Sequence, residues 1–351
     1  MPRPIRRPSG ATSDQRTAAD RVRARPCPVT LLLAGLGLLA ACGGAEEELP
    51  SLETPAPEWT STLGAEERVV SLSGFAGPES VRYDPEQDVW FVGNFNGDPG
   101  ARDGNGFVSR VDASADTVEA LRFATGTEAV PLHAARGMYL TGDTLWVADI
   151  DGVHGFHRET GEPVAFVDLT PFEPGFLNDI SGDDQGTLYV TDTDRSAIYA
   201  LEAGAGQREV MEVVADTALG SPNGIVRDEA RGGWVLMPWS PGHPLRLWSP
   251  GSDAEAQASP LGEAFGPETT LGRMDGAELL DGRLLVASQT DSTLRLLDPA
   301  GASLRPYIRL GGAPADPGLD TRRRRVAVPF VGLDRVDIWE LPPAEDGASG
   351  G

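Results

Sequence analysis

One repeated unit of the sequence decides the fold. Residues 177–201 read LNDISGDDQGTLYVTDTDRSAIYAL. After the polar opening Leu177-Asn178-Asp179-Ile180 and a turn comes the β-rich run Leu188-Tyr189-Val190-Thr191, and after a second turn the run 197–201. Runs of apolar and β-branched residues bounded by glycine and aspartate are typical of strands joined by tight turns. The stretch therefore predicts consecutive strands of one small antiparallel sheet.

The same unit occurs six times between residues 67 and 341, with steps of 42 to 57 residues. Its six openings are Pro78-Glu79-Ser80-Val81, Ala135-Arg136-Gly137-Met138, Leu177-Asn178-Asp179-Ile180, Pro222-Asn223-Gly224-Ile225, Met274-Asp275-Gly276-Ala277 and Asp316-Pro317-Gly318-Leu319. Repeats of this length with about four strands each are typical of β-propeller blades. The sequence therefore predicts an all-β, six-bladed β-propeller over residues 67–341. We expect residues 68–72 to pair with the last blade and close the ring, which removes an exposed sheet edge.

Two β-sandwiches are the alternative architecture for a chain of 351 residues. Nothing near residue 205 or residue 250 has the composition of a linker between domains, so the propeller is the better prediction.

Composition excludes several classes of protein. All 29 basic residues are arginine, and the 53 acidic residues bring the net charge to −24. Such an acidic chain would repel the phosphates of a nucleic acid, so we expect no nucleic-acid partner. The apolar fraction of 40% suffices for a sizeable core. No apolar run reaches the length of a membrane-spanning helix, so no transmembrane domain is expected.

The first 42 residues have the layout of a secretory signal. Seven arginines precede the apolar run 29–41, which ends in Leu39-Ala40-Ala41-Cys42. This end resembles the bacterial lipobox, in which the cysteine thiol is acylated. The alternative is a plain cleaved signal with an incidental cysteine.

We accordingly expect a lipoprotein signal peptide at residues 1–41, a lipidated Cys42 with a flexible tether to residue 66, and a disordered tail at residues 342–351. This predicts a bacterial cell-envelope protein on the periplasmic or extracellular face, held to a membrane through its lipid only.

The second residues of the six openings should meet around the central channel of the propeller. These residues are Glu79, Arg136, Asn178, Asn223, Asp275 and Pro317. Four of them offer oxygen ligands, the donor type that Ca²⁺ prefers and that Mn²⁺ or Mg²⁺ also accepts. The alternative is that asparagine and aspartate stand here because they make local turn hydrogen bonds.

The openings Pro78-Glu79, Leu177-Asn178-Asp179, Pro222-Asn223-Gly224-Ile225 and Asp275-Gly276 resemble those of the SMP-30/gluconolactonase/LRE-like family. They are also similar to those of the paraoxonases, which are six-bladed propellers too. The resemblance implies one divalent cation, usually calcium, held by Glu79, Asn223 and Asp275. It further implies that Asn178 contacts the metal or the substrate, and that the reaction is hydrolysis of a lactone or ester.

The resemblance also suggests candidates for catalysis. Asp275 is the candidate general base, with Asn178 and Arg136 as further candidate catalytic residues. Arg136 stands where paraoxonases have a histidine, and it could instead pair with Glu79 or Asp275. Gluconolactonases carry a substrate-binding arginine at the position of Phe176.

Two residues outside the openings also bear on the site. His133 is a candidate second-shell base on the loop that leads to Arg136. We expect Trp239 to be a packed core residue rather than part of a pocket wall.

Two classes of function follow. The first is a divalent-metal-dependent hydrolase of lactones or related esters, with a small-molecule substrate. The second is a non-catalytic propeller lipoprotein that binds a ligand or a protein partner and uses the cation for structure. We expect a monomer in either case.

Overall fold

The computed structural model describes residues 63–202, 208–250, 261–268, 270–297 and 303–343. All of them belong to the compact unit Ala56–Gly351. Within these residues 24 strands form six antiparallel, four-stranded sheets. The predicted all-β, six-bladed β-propeller is therefore confirmed. The predicted signal peptide, Cys42 and most of the tether and tail lie outside the described residues. No helix within the described ranges is long and apolar enough to cross a membrane.

The strands follow the repeats of the sequence. A first strand, β1 (Val70–Ser73), comes before the first blade. Blade 1 contains β2 (Pro78–Asp84), β3 (Val89–Asn94), β4 (Phe107–Asp112) and β5 (Thr117–Thr125). Blade 2 contains β6 (Met138–Thr141), β7 (Thr144–Ala148), β8 (Gly152–His157) and β9 (Pro163–Asp168). Blade 3 contains β10 (Leu177–Gly182), β11 (Leu188–Asp192), β12 (Ala197–Glu202) and β13 (Glu209–Ala215).

The second half of the ring repeats this order. Blade 4 contains β14 (Pro222–Asp228), β15 (Gly233–Pro238), β16 (Leu245–Trp248) and β17 (Glu263–Phe265). Blade 5 contains β18 (Met274–Leu280), β19 (Arg283–Ser288), β20 (Thr293–Leu297) and β21 (Leu304–Arg309). Blade 6 contains β22 (Gly318–Asp320), β23 (Arg325–Phe330) and β24 (Arg335–Glu340), and β1 completes it. Short 3₁₀ helices cover Ala65–Glu67, Thr170–Phe172, Thr217–Leu219 and Val331–Leu333.

The ring closes by pairing its two ends. Strand β1 lies antiparallel to β24, with Val70 opposite Ile338 and Leu72 opposite Val336. The Ser71 hydroxyl donates to Oδ1 of the buried Asp337 at 2.6 Å. The predicted closing strand is thus present, and it covers the free edge of β24.

The end of the predicted tether is attached to the propeller rather than free. Leu63 forms a parallel β-bridge with Ile308, and the Trp339 indole N–H donates to the carbonyl of Gly64 at 3.2 Å. Folded structure therefore begins before residue 67, because these backbone groups find partners on blades 5 and 6.

Apolar side chains between neighbouring blades form the core. Trp146 and Ala148 of blade 2 pack with Leu188 and Val190 of blade 3, and all four are buried. Both faces of the middle strands are covered in this way, which explains why their sequences are continuous apolar runs instead of alternating ones. Removing this surface from water is the main stabilising contribution to the ring.

The first strand of each blade is its inner strand. A β-bulge near the start of the inner strand recurs in four blades. The pairing register shifts between Pro78 and Ser80 in β2, and in the same place in β10, β14 and β18. Bulges re-aim side chains and are common next to active sites. Here they lie at the acidic and amide residues Glu79, Asn178, Asn223 and Asp275.

The second residues of the six openings were expected to surround the central channel, and we call their places the axial positions. In blade 6 the axial position is held by Ala315, not by Pro317. The Ala315 N–H donates to the carbonyl of Pro329, as that of Arg136 does to Ala148. The next residue, Asp316, donates to the carbonyl of Glu79, just as Gly137 donates to that of Asn178. The expected position was therefore two residues late, because the blade 6 opening starts earlier than its Gly-Leu pair suggests.

Candidate active site

A cavity of about 190 Å³ lies at the face where the inner strands begin. Its lining comes from residues at the starts of inner strands and from the ends of the second strands and the loops after them, which antiparallel pairing brings together. The lining residues are Glu79, Phe95, Phe176, Asn178, Thr193, Asp194, Asn223, Trp239, Asp275, Gln289, Ala315 and Val331. The structure therefore brings all four predicted oxygen ligands to one cavity. We call Glu79, Asn178, Asn223 and Asp275 the axial set.

Three oxygen atoms of the axial set are buried without a hydrogen-bond partner. They are Oε2 of Glu79, Oδ1 of Asn223 and Oδ1 of Asp275. All three residues are at most 5% exposed. A buried polar atom with no partner costs free energy, so such atoms are rare unless a ligand satisfies them. Their arrangement points to a bound species that takes oxygen atoms as ligands, as a cation does.

Neighbouring threonines hold two members of the axial set in place. Asn178 Nδ2 donates to Thr193 Oγ1 at 3.2 Å, which leaves the Asn178 carbonyl oxygen for a ligand. The Thr193 hydroxyl donates to the carbonyl of Pro222 at 3.0 Å, and Thr191 Oγ1 donates to that of Asn223 at 2.5 Å. Blade 3 thereby fixes the opening of blade 4, and the site is organised before any ligand binds.

Asp275 is held from the other side. Gln289 Nε2 donates to Asp275 Oδ2 at 2.5 Å, so one carboxylate oxygen is oriented and Oδ1 is left without a partner. Burial raises the pKa of Asp275 to about 7, although the Gln289 hydrogen bond opposes this. Burial also raises the pKa of Glu79 well above its usual value, and repulsion from Asp275 and Asp179 adds to it. The Arg136 guanidinium opposes the shift at Glu79, but burial of the carboxylate outweighs this attraction.

Arg136 is buried against Phe176. It is 1% exposed, and its guanidinium lies 3.6 Å from the centroid of the Phe176 ring. Its NH1 and NH2 groups donate to the carbonyls of Leu177, at 2.5 Å, and Pro99, at 2.7 Å. Burial lowers the pKa of Arg136 to about 10, so it stays charged at neutral pH. Among the described residues, Arg136 is not one of those that line the cavity.

His133 lies in a separate group with Asp149 and Asp151. Ligand atoms of these three residues lie within 4.8 Å of one another, the spacing of a possible metal site. Asp149, however, accepts the backbone N–H groups of His133 and Ala134 at 2.7 Å each. His133 Nδ1 accepts the N–H of Gly104 at 3.0 Å, which places the ring proton of the neutral form on Nε2.

The third member of this group is also partly engaged. Asp151 Oδ2 accepts from Arg102 NH1 at 2.9 Å, while its Oδ1 has no hydrogen-bond partner. One free oxygen makes this a weaker cation site than the axial set. His133 is not among the described residues that line the cavity.

A charged layer lies further along the inner strands. Arg82 NH1 donates to Glu278 Oε1 at 2.8 Å, and its NH2 donates to Asp316 Oδ2 at 3.4 Å. Burial raises the pKa of Glu278 to about 7, against the attraction of Arg82. Asp179 accepts the N–H groups of Ile180 and Ile225. This layer therefore places a positively charged side chain, that of Arg82, below the axial set.

Sequence reasoning missed the apolar side of the cavity. Trp239, expected in the core, lines the cavity instead, together with Phe95, Phe176, Ala315 and Val331. Except for Phe176 and Ala315, each of these residues directly follows the last residue of the second strand of a blade. That position is the signal that could have found them.

The chain is similar in structure to several solved propellers. Regucalcin from Agrobacterium tumefaciens, described as a calcium-binding protein, is 18% identical, with a TM-score of 0.58 over 81% of this chain and 96% of that one. A gluconolactonase from Xanthomonas campestris is 13% identical, with a TM-score of 0.56 over 79% and 92% of the two chains. A putative gluconolactonase is 12% identical, with a TM-score of 0.55 over 76% and 90%.

These structural neighbours are regucalcin/SMP-30 and gluconolactonase-family six-bladed propellers, so the expected resemblance is confirmed at the level of fold. No protein-family model matches the sequence. No curated protein matches it either.

Proposed function

We propose that this chain is a divalent-metal-dependent hydrolase of lactones or related esters. The observation that carries the proposal is the axial set, four oxygen side chains from four blades at one cavity, three of them with a buried oxygen atom that lacks a partner. The calcium-binding and gluconolactonase neighbours support it.

The residues present fit a hard cation. The donor set contains only oxygen, from two carboxylates and two amides, as Ca²⁺ prefers. Glu79, Asn223 and Asp275 would hold the ion, with Asn178 as a further ligand. When bound, such an ion supplies Lewis-acid polarisation of a carbonyl group and a counter-charge for the buried carboxylates.

The side chains around the axial set can carry the rest of the reaction. Asp275, oriented by Gln289, accepts a proton from a water molecule as the water oxygen adds to the substrate carbonyl carbon. The bond from that carbon to the ring oxygen then breaks, and the leaving alkoxide takes the proton. The product is the hydroxy acid, and the Asp275 carboxylate is restored. Asn178 would orient the carbonyl group.

The experiment is turnover of a lactone panel by the detergent-solubilised full chain, followed by pH-stat titration. We expect hydrolysis in CaCl₂, its loss in EGTA, and recovery when Ca²⁺ is returned. Asn223→Ala should reduce turnover at a fixed low Ca²⁺ concentration by about 100-fold or more, since it removes a ligand. Asp151→Asn is the matched control and should leave turnover unchanged. Turnover that persists in EGTA would contradict metal dependence, and Ca²⁺ binding with no turnover would favour a non-catalytic propeller.

We also propose that the chain is lipid-anchored through Cys42 outside the cytoplasmic membrane. Support comes from the sequence Leu39-Ala40-Ala41-Cys42 after a basic and apolar leader. Membrane fractionation of Cys42→Ala, which should become soluble, tests this.

A further inference from the structure

The cavity has one polar side and one apolar side. The axial set provides the polar side, while the remaining surface is dominated by five apolar residues. These wall residues are Phe95, Phe176, Trp239, Ala315 and Val331. An apolar wall favours a ligand surface that gains from leaving water.

Phe176 is firmly held in the wall of the cavity. Its N–H donates to Asp192 Oδ1 at 2.9 Å, and its carbonyl accepts the N–H of Thr193 at 2.9 Å. The Arg136 guanidinium lies 3.6 Å from its ring centroid. Backbone and ring are thus both fixed, and the ring presents a rigid surface to the cavity.

Arg136 is not among the described residues that line the cavity, and its Nε, which has no hydrogen-bond partner, is buried away from a substrate. Its NH1 and NH2 groups are used on the carbonyls of Leu177 and Pro99, and the side chain is almost fully buried. Its position therefore makes it a positioning residue, which acts on a ligand through the Phe176 ring.

The polar groups beside the wall are also engaged. The Thr193 hydroxyl donates to Pro222 and accepts from Asn178, and the Gln289 amide nitrogen donates to Asp275. Asp194, at the exposed margin, is an acceptor only. A substrate rich in hydroxyl groups would find acceptors but few free donors here, so part of its hydrogen bonding to water would not be replaced, which is unfavourable.

The cavity is also small. Its volume of about 190 Å³ is close to that of a cavity of about 150 Å³ known to admit benzene. A single five- or six-membered ring therefore fits, with substituents pointing to the open side.

We propose that Phe176, held by Arg136, is the specificity-determining wall of this site, and that it selects lactones with an apolar ring flank over polyhydroxylated sugar lactones. This inference rests on the proposed hydrolase function, which it deepens by naming the substrate class.

The test compares δ-hexalactone with D-glucono-δ-lactone as substrates of the Ca²⁺-loaded full chain. We expect kcat/KM to be at least about 100-fold higher for δ-hexalactone. Phe176→Ala should lower kcat/KM for δ-hexalactone by about 10- to 100-fold, mainly through KM, and leave Ca²⁺ affinity unchanged. Arg136→Met should also raise KM with little change in kcat, and Arg136→Lys should restore part of the loss.

Phe123→Ala is the matched control, because Phe123 also lies under an arginine, Arg110, but in the outer strand of blade 1. Phe123→Ala should change neither kcat nor KM. A preference for the sugar lactone, or an unchanged KM in Phe176→Ala, would overturn the assignment while leaving the hydrolase proposal intact.

Binding of the non-hydrolysed probe δ-valerolactam, measured by calorimetry, separates the two proposals. If no lactone is hydrolysed, the hydrolase proposal is wrong. Lactam binding that weakens in Phe176→Ala would then still support the wall, and binding unaffected by that substitution would overturn it.

Discussion

At the scale of single residues, the axial set is the feature on which the proposed function depends. Asn and Asp at the start of a strand usually make local turn hydrogen bonds. Here Asn223 Oδ1 and Asp275 Oδ1 make none, although both residues are buried. The residue types were visible in the sequence, but the missing partners were not, because they depend on what the neighbouring blades place nearby.

The first prediction concerns Asp275. Calcium at a hundredfold excess over its Kd should stabilise the wild-type chain by about 2.7 kcal/mol, since it binds the folded state only. Asp275→Ala should abolish this gain by removing a ligand that also orients the site. Thermal unfolding with and without CaCl₂ measures both.

Asp151→Asn distinguishes the axial set from the group around His133. This variant should keep the full calcium-dependent shift. A shift that survives Asp275→Ala but disappears in Asp151→Asn would place the cation with His133, Asp149 and Asp151 instead.

At the scale of elements, the inner strands approach one another so closely that small residues are required between them. A Cβ added to Gly276 would overlap the carboxylate of Asp316 and lie 2.7 Å from its Cα. Gly137 faces Asp179 of the next blade in the same way. The glycine after an axial residue therefore makes room for the neighbouring inner strand.

The second prediction follows from this contact. Gly276→Ala should lower the free energy of unfolding by about 1 to 3 kcal/mol, because the neighbouring strand must move. Gly332→Ala is the control, since an added Cβ there meets nothing within 4 Å, and its effect should stay within about 0.5 kcal/mol. Urea denaturation of the full chain in EGTA compares them. Equal effects would show that the inner strands tolerate a wider ring.

At the scale of the whole molecule, the closure of the ring and the charges buried inside it determine its stability. Strand β1 covers β24, so the sixth blade is built from both ends of the propeller. Within the ring, Arg82 stands among Glu278, Asp316 and Asp179. Burial of these acids raises the pKa of each, which couples the stability of the metal-free ring to pH.

The third prediction concerns Glu278, whose pKa is raised to about 7 in the folded chain from an ordinary value near 4.5. Between these values the folded state holds a proton that the unfolded state releases, so stability falls as pH rises through this window. The loss from this group is up to about 3 kcal/mol. Glu278→Gln should flatten the fall in urea midpoint between pH 5 and pH 8 in EGTA.

Glu119→Gln serves as the control for this profile. Glu119 is also paired with an arginine, Arg110, but it is 41% exposed. Glu119→Gln should leave the pH dependence of the urea midpoint unchanged. An unaltered slope in Glu278→Gln would show that other groups carry the titration.

The sequence by itself determined the six blades, the closing strand and the four residues of the axial set, because these depend on a repeat whose period is readable along the chain. The tertiary structure alone decided that Ala315 occupies the sixth axial position. It also decided that Trp239 and Phe176 line the cavity and that Arg136 contacts Phe176. The physical reason is that these features depend on bulge register and on contacts between blades. Residues about 40 to 55 positions apart become neighbours only when the ring closes.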